Sequence, residues 1–349
     1  MATILEVGVG KTYETINAAV NAASTTEETT IVISAGTYNE DITLDARSME
    51  QKGNIKFVAA EDAEVTITGT VTIGYLEKRV GSKQWTANVE FEGIIFDQAK
   101  AETNSIDIQD VVDFALTNCT IVGDGEYGIT GTNVENDATI TGCTFENAAV
   151  QSYGNFGTNL LIDGCTFDES VINIQSGDGV TVSNCTFSNT LTDAANGGSF
   201  YVVRSNANPV DIKNCTFNVD STASETTTPQ TDADPAKVEG AKWGSSFAVF
   251  CQRANSVVKM NCENVTVNFT DSAMANENLF VSYTSNQYTG TEERIVISDM
   301  KSASNDVAAL LAKTDKAVAV IDTVNGIYTE YTDGVNSISS IFAERTIIP

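Results

Sequence analysis

The phrase Asn118-Cys119-Thr120-Ile121 is the first of five similar tetrapeptides in this sequence. Each begins with Asn or Gly, continues with Cys-Thr and ends with an apolar residue, and successive cysteines are 24, 22, 20 and 30 residues apart. A short unit that returns at such intervals predicts a solenoid in which each unit forms one coil. The other four phrases are Gly142-Cys143-Thr144-Phe145, Gly164-Cys165-Thr166-Phe167, Asn184-Cys185-Thr186-Phe187 and Asn214-Cys215-Thr216-Phe217.

The residues around each cysteine alternate in polarity, as they do in a strand. In the second repeat, around Cys143, the residues Ile140, Cys143 and Phe145 are apolar. The threonines between them are polar, and one extra residue, always Asn or Gly, interrupts the alternation. Asn and Gly tolerate the left-handed backbone conformation, so each coil is predicted to contain a strand, a sharp corner and a second strand. Stacked about 4.8 Å apart, the coils would form an internal ladder from Cys119, Cys143, Cys165, Cys185 and Cys215 and a corner ladder from Asn118, Gly142, Gly164, Asn184 and Asn214.

These coils resemble the right-handed parallel β-helix of the pectin-lyase-like superfamily. The resemblance covers most of the chain and implies an all-β, single-stranded solenoid, but a fold does not define a reaction. The run Gly36-Thr37-Tyr38-Asn39-Glu40 is similar to the G-x-Y-x-E phrase of the opening coil of pectin methylesterases. That family's catalytic glutamine, aspartates and arginine have a partial counterpart only in Gln109-Asp110 and Asp113-Phe114. Those two pieces are about one coil apart in the family and nearly adjacent here, so the enzyme motif is not reproduced.

The order of the segments predicts one domain with covered ends. Residues 1–30 are expected to form a strand and a short capping helix that begins near Thr12 or Thr15. The β-helix would extend over residues 31–300, with a loop inserted at 218–246, and residues 301–349 would form a C-terminal cap or an oligomerisation segment. A second capping helix is expected to begin at Asn305. After the insertion the repeat is predicted to resume at Asn261-Cys262, either one coil plus the insertion or two coils after Cys215.

Composition restricts the partners and the chemistry. The 47 acidic and 19 basic residues give a net charge of −28, which disfavours binding to nucleic acid or to an anionic membrane. No signal-peptide pattern or membrane span is recognised at the amino terminus. The seven cysteines are interpreted as buried, reduced thiols, and no zinc spacing is present. No cofactor is predicted; outward carboxylates could bind calcium, although no calcium-loop motif is found.

The chain has no histidine, which excludes Ser-His-Asp and Cys-His catalysis. Carboxylate chemistry remains open, because two acids one or two coils apart would lie within the distance that glycosidases use. The candidates for such a pair are Asp110, Asp163, Asp168 and Asp178. A lyase-type site would need a base such as Arg204 or Arg253, but either arginine could simply face solvent. No catalytic residue is therefore assigned.

Two functions from different classes follow. The preferred one is a non-catalytic structural or adhesive β-helix of a cell surface, an extracellular appendage or a virion, which would bind polysaccharide or associate into an oligomer or filament. Its export would not use an N-terminal signal peptide, and a cytoplasmic location is left open. The alternative is a carbohydrate-active enzyme, either a polysaccharide lyase or similar to a pectin esterase, with a groove near residues 218–246. The candidate ligand-binding residues are Tyr153, Tyr201, Arg204, Trp243 and Arg253.

Overall fold

A computed structural model of the chain describes most of its first half and separate strands of the second. The described residues fall into two compact units, Met1–Cys165 and Thr166–Pro349, and each is considered by itself. The described ranges are 3–45, 51–74, 87–98, 103–123, 128–152, 156–174, 177–188, 200–202, 210–219, 248–252, 260–269, 280–284, 300–302, 331–332 and 337–338.

Each complete coil of the first unit contributes one strand to each of three parallel sheets. The strands are short and alternate inward apolar with outward polar residues, as the sequence pattern requires. The first sheet contains Thr3–Val7, Thr29–Ile33, Ile55–Ala59, Val89–Glu92, Phe114–Thr117, Ala138–Thr141 and Leu160–Asp163. The second contains Gly36–Tyr38, Val65–Ile67, Ile95–Asp97, Thr120–Val122 and Thr144–Glu146, and the third Ile42–Leu44, Val71–Ile73, Ile106–Ile108, Gly128–Gly131 and Ala149–Ser152. The short strand Gly157–Thr158 completes the unit.

The second unit repeats this arrangement. Its first-sheet strands are Thr181–Ser183, Val210–Lys213 and Met260–Glu263, and its second-sheet strands are Thr166–Asp168, Thr186–Ser188, Thr216–Val219, Val265–Phe269 and Met300–Ser302. The third-sheet strands are Val171–Ile174, Phe200–Val202, Ala248–Gln252 and Phe280–Thr284, and Gly177–Asp178 is a separate short strand. Tyr331–Thr332 and Ser337–Ile338 pair antiparallel. The all-β parallel solenoid predicted from the repeat is thus confirmed.

The corner between the first and second sheets adopts the left-handed conformation. The φ angles are 51° at Asn118, 61° at Gly142 and 63° at Gly164 in the first unit, and 54° at Asn184 and 53° at Asn214 in the second. Four of these corners donate a hydrogen bond to the next coil, and the amide of Asn118, for example, donates to the Thr141 carbonyl at 2.9 Å. A Cβ atom at position 142 would lie 2.5 Å from Asn118 Oδ1, so a larger residue there would have to displace the Asn118 side chain.

One corner lies three residues from its predicted position. Asn264, with φ of 53°, forms the corner after the insertion, and its side-chain amide donates to Asn214 Oδ1 at 2.9 Å. Cys262 instead lies in the preceding first-sheet strand, opposite Ile212. The interpretation of Asn261-Cys262 as a corner phrase was therefore wrong. Since strand Val210–Lys213 pairs directly with Met260–Glu263, one coil plus the insertion separates the two corners.

The five ladder cysteines are buried free thiols. Within the first unit the backbone amides of Cys119 and Cys143 each donate to the sulfur of the next cysteine along the ladder at 3.4 Å. Hydrogen bonding with Cys119, together with burial, raises the pKa of Cys143 to about 12. This thiol is therefore protonated at neutral pH, which makes it a packing group rather than a nucleophile.

A seven-residue helix, Ile16–Ala22, buries Ile16, Ala19 and Val20. Thr15 is its N-cap and accepts a hydrogen bond from the Ala18 amide at 3.2 Å. Of the two starting positions that the sequence predicted, Thr12 and Thr15, the helix uses Thr15. In the described part of the chain, no helix is long and apolar enough to cross a membrane. The predicted C-terminal helix at Asn305 and almost all of the insertion lie outside the described residues, so the proposed domain boundaries stay predictions.

Candidate functional site

The ligand-binding residues predicted from sequence lie mostly outside the described residues. These are Tyr153, Arg204, Trp243 and Arg253. Tyr201 lies in the third-sheet strand Phe200–Val202, opposite Asn173 and Val249, and its side chain is not described. A sugar-stacking role for these five residues therefore stays a prediction.

The four candidate carboxylates occupy different parts of the coil. Asp110 follows a third-sheet strand, whereas Asp163 ends a first-sheet strand, so the first unit does not bring these two together. Asp168 ends a second-sheet strand in the second unit. Asp178 ends the strand Gly177–Asp178, and its side chain is not described. The structure thus provides no described pair from this set.

The segment that partly resembles the methylesterase motif has structural contacts. Asp110 is buried and accepts a hydrogen bond from the amide of Asn133, itself buried. Asp113 accepts a hydrogen bond from the Asp137 amide at 3.2 Å. Both contacts join one coil to the next, because Asn133 and Asp137 lie about one coil further along the chain. These two carboxylates therefore brace neighbouring coils.

A row of polar side chains on the outward face of the third sheet was not found from the sequence. Asp107 lies between Ile106 and Ile108, both fully buried, so its side chain points away from the core. Parallel pairing places Thr72 beside it on one side and Thr130 on the other. We call these residues and their next neighbours in register the third-sheet row: Thr43, Thr72, Asp107, Thr130 and Gln151.

Asp107 is the electrostatic centre of the third-sheet row. Its Oδ1 accepts a hydrogen bond from Gln109 Nε2 at 3.0 Å. Burial raises the pKa of the Asp107 carboxyl, and the hydrogen bond from Gln109 opposes this rise without cancelling it. Ionisable groups whose pKa is raised by burial are concentrated at functional sites. The row is therefore the candidate functional site of the described chain.

Two hydroxyl groups near Asp107 lack hydrogen-bond partners. Ser105 Oγ and Thr130 Oγ1 are both buried atoms for which no partner is present. Ser105 continues the sheet ladder, because its carbonyl accepts from the Val71 amide at 2.9 Å and its amide donates to the Gly128 carbonyl at 2.8 Å. It comes directly before the strand Ile106–Ile108 and is fully buried. Buried hydroxyls usually have a partner, so this is an unusual local concentration of unused hydrogen-bonding groups.

A recognisable sequence signal does mark this row. Val71-Thr72-Ile73 and Ile106-Asp107-Ile108 each place one polar residue between two buried β-branched residues. Alignment on the cysteine phrase reveals only the first and second sheets, because the loops before the third strand differ in length from coil to coil. Among the described residues, no group of three or more His, Cys, Asp or Glu side chains could hold a metal ion, and calcium binding stays a prediction.

Asp107→Asn is expected to raise the melting temperature at pH 7. The folded-state pKa of Asp107 lies above its unfolded value, so the ionised carboxylate costs stability at neutral pH, and this cost disappears as the pH falls through the raised pKa. Asn is neutral throughout and can accept the same hydrogen bond from Gln109. The advantage of the variant should therefore shrink on acidification and vanish below about pH 4.

Thermal melts of both proteins between pH 3 and pH 8 would measure this difference. Asp137→Asn is a matched control, because Asp137 is an exposed aspartate in the next coil. A melting-temperature difference for Asp107→Asn that does not change with pH would contradict the prediction.

The stacked coils, the left-handed corners and the buried ladder define a class of protein, the parallel β-helices. A family model described as "Right handed beta helix region" matches residues 83–231. The matched residues and the three parallel sheets agree that the chain is a right-handed parallel β-helix.

Comparison with solved structures finds two pectin methylesterases among the similar proteins. The enzyme from Aspergillus niger is 16% identical, with 91% of each chain covered and a TM-score of 0.35. The enzyme PemA from Erwinia chrysanthemi is 13% identical, with 87% of this chain and 90% of that chain covered and a TM-score of 0.38. No curated protein sequence matches the chain. At TM-scores this low, neither likeness carries an argument about this chain.

Proposed function

We propose that this protein is a non-catalytic structural or adhesive β-helix of a cell surface, an extracellular appendage or a virion, and that it binds glycans through the third-sheet row. The observation that carries the proposal is the composition of the row. Its members are hydrogen-bonding side chains held in register by parallel pairing, and among the five of them Asp107 alone ionises. Glycoside hydrolysis uses two carboxyl groups that flank the scissile bond, so the row is better suited to binding than to cleavage.

The contacts of Asp110 and Asp113 also support a non-catalytic role. In this chain the two aspartates of the enzyme-like segment accept hydrogen bonds from the next coil. A carboxylate with a fixed structural partner is less available as a nucleophile or general base than one that faces a substrate. Regular stacked coils also give a stiff support, which suits a protein that presents a binding face.

Two experiments test this proposal. The purified protein is incubated with a panel of polysaccharides to look for reaction products, and a glycan array then measures binding. We expect at least one polysaccharide to bind, with no new reducing ends, no unsaturated products and no released methanol. Turnover that is abolished by Asp107→Asn or Asp110→Asn would overturn the non-catalytic reading in favour of a lyase or esterase. For self-association, electron microscopy should show ordered oligomers or filaments, and a strictly monomeric protein at high concentration would contradict that part.

A further inference from the structure

The third-sheet row has the chemistry of a site for a neutral, hydroxyl-rich ligand. Thr130 is directly opposite Asp107 in the sheet, yet its hydroxyl has no hydrogen-bond partner. Asp107 accepts the hydrogen bond from Gln109 through Oδ1, which leaves Oδ2 as a second acceptor oxygen. A buried hydroxyl without a partner is unfavourable, so these groups are prepared to gain from a ligand that supplies both donors and acceptors.

A ligand can approach the third-sheet row from solvent. Asp107, Gln109 and Thr130 are each half-buried, so part of every side chain faces solvent. The Thr130 hydroxyl oxygen is buried in the conformation that the structure shows, so contact with the ligand requires another of the staggered rotamers about its Cα–Cβ bond. The hydroxyl groups of a sugar can then donate to Asp107 and exchange hydrogen bonds with Thr130.

Charge decides between a neutral and an acidic sugar. The chain carries a net charge of −28, and the third-sheet row contains a carboxylate and no cation. A uronate would place its own carboxylate near Asp107 with no counterion among the side chains of the row, and like charges in a partly buried setting repel strongly. A neutral sugar brings no such penalty, and its hydroxyls match the unpaired groups.

We infer that the third-sheet row, centred on Asp107 and Thr130, binds a neutral oligosaccharide and discriminates against polyuronates. The inference rests on the proposed glycan-binding function and adds to it the position of the site and the class of sugar. The row differs from the aromatic and arginine side chains that the sequence had suggested as sugar contacts.

The test is affinity electrophoresis. One set of gels contains a neutral glucan, galactan or mannan, and the other set contains polygalacturonate. Wild-type protein should be retarded by at least one neutral polymer and not by polygalacturonate. Thr130→Val removes only the hydroxyl and should weaken binding about tenfold, the loss expected for one hydrogen bond. Asp107→Asn should weaken it at least as much. Thr144→Val, on the outward face of the second sheet, is the matched control and should bind as wild type does.

Melting temperatures separate binding from a structural role. Because the Thr130 hydroxyl has no partner within the protein, Thr130→Val should melt at or above the wild-type temperature while it loses affinity. A hydroxyl satisfied by a buried structural water would give the opposite pattern, with lost stability and unchanged affinity, and would overturn the inference. Equal retardation of both variants and wild type, or retardation by polygalacturonate, would overturn the inference and leave the proposed function standing. If the wild type binds no polysaccharide, both fail.

Discussion

Phe187→Ala is expected to lower the free energy of unfolding by about 3–5 kcal/mol. The Phe187 ring is buried between two parallel rings, with centroids 4.5 Å from Phe167 and 4.4 Å from Phe217 and interplanar angles of 6° and 8°. Truncation removes the apolar surface of the ring and leaves a cavity that both neighbours line. It also removes two stacking contacts, each worth about 0.5–1.5 kcal/mol beyond burial.

Denaturant unfolding followed by circular dichroism would measure this loss. Thr186→Ala in the same strand is a suitable control, since Thr186 is exposed on the outward face and its truncation should change stability by less than about 0.5 kcal/mol. Phe187→Leu, which keeps most of the apolar volume, should fall between the two. In a solenoid each coil is supported mainly by its neighbours, so the amides of the adjacent strands should also exchange faster. A loss below about 1 kcal/mol in Phe187→Ala would contradict a continuous stacked core.

The repeat phrase predicted this core because each of its residues has one structural role. An extended strand needs alternation, a left-handed corner needs Asn or Gly, and a coil interior needs small or flat apolar groups. A coil without cysteine follows the same rule, since Gly93 has a φ of 68° at its corner and Ile94, the next residue, is fully buried. The fold was therefore readable from local chemistry alone.

Other features could not be derived from local chemistry. The neighbours of Asp107 are set by pairing between coils, and loops of unequal length hide that register in the sequence. For the same reason Asn261-Cys262 was mistaken for a corner phrase, although the backbone conformation is found at Asn264. The hydrogen-bond partners of individual side chains could not be predicted either. Nothing in the sequence indicated that Asp110 would accept a hydrogen bond from Asn133 or that the Thr130 hydroxyl would have no partner.

Glu40→Ala should destabilise the N-terminal helix by about 2 kcal/mol. Glu40 lies in the run that resembles the methylesterase phrase, and here its carboxylate serves as a remote cap. Its Oε1 accepts from the Ile16 amide at 2.7 Å, and its Oε2 accepts from the backbone and side-chain amides of Asn17 at 3.0 and 2.8 Å. The positive end of the helix dipole favours this negative charge. Truncation leaves these donors without the carboxylate.

The effect should be local because so short a helix depends on its anchors. A seven-residue helix is not stable alone, and its other end is held by Lys52, whose Nζ donates to the Asn21 carbonyl at 2.9 Å. With Glu40 truncated, the N-terminal end keeps the Thr15 cap and the bond from Asn17 Nδ2 to the Asp41 carbonyl at 2.7 Å. It loses the carboxylate that accepted from the backbone amides of Ile16 and Asn17. Hydrogen exchange should therefore show faster exchange at Ile16 and Asn17 than at the strands of the first sheet. Glu40→Gln keeps an acceptor oxygen but loses the charge, so it should lose about half as much protection.

Glu61→Ala provides the matched control, since Glu61 is exposed in a turn of the following coil and its loss changes the net charge by the same amount. Equal protection of Ile16 and Asn17 in both variants would show that the helix is held by its buried face alone. Faster exchange only in Glu40→Ala would instead show that the acidic residue of the phrase acts by fixing the helix that covers the first coil. In that case the segment that resembles the methylesterase phrase has a structural role, because its glutamate holds the helix that covers the first coil. The resemblance would then carry no implication of esterase chemistry.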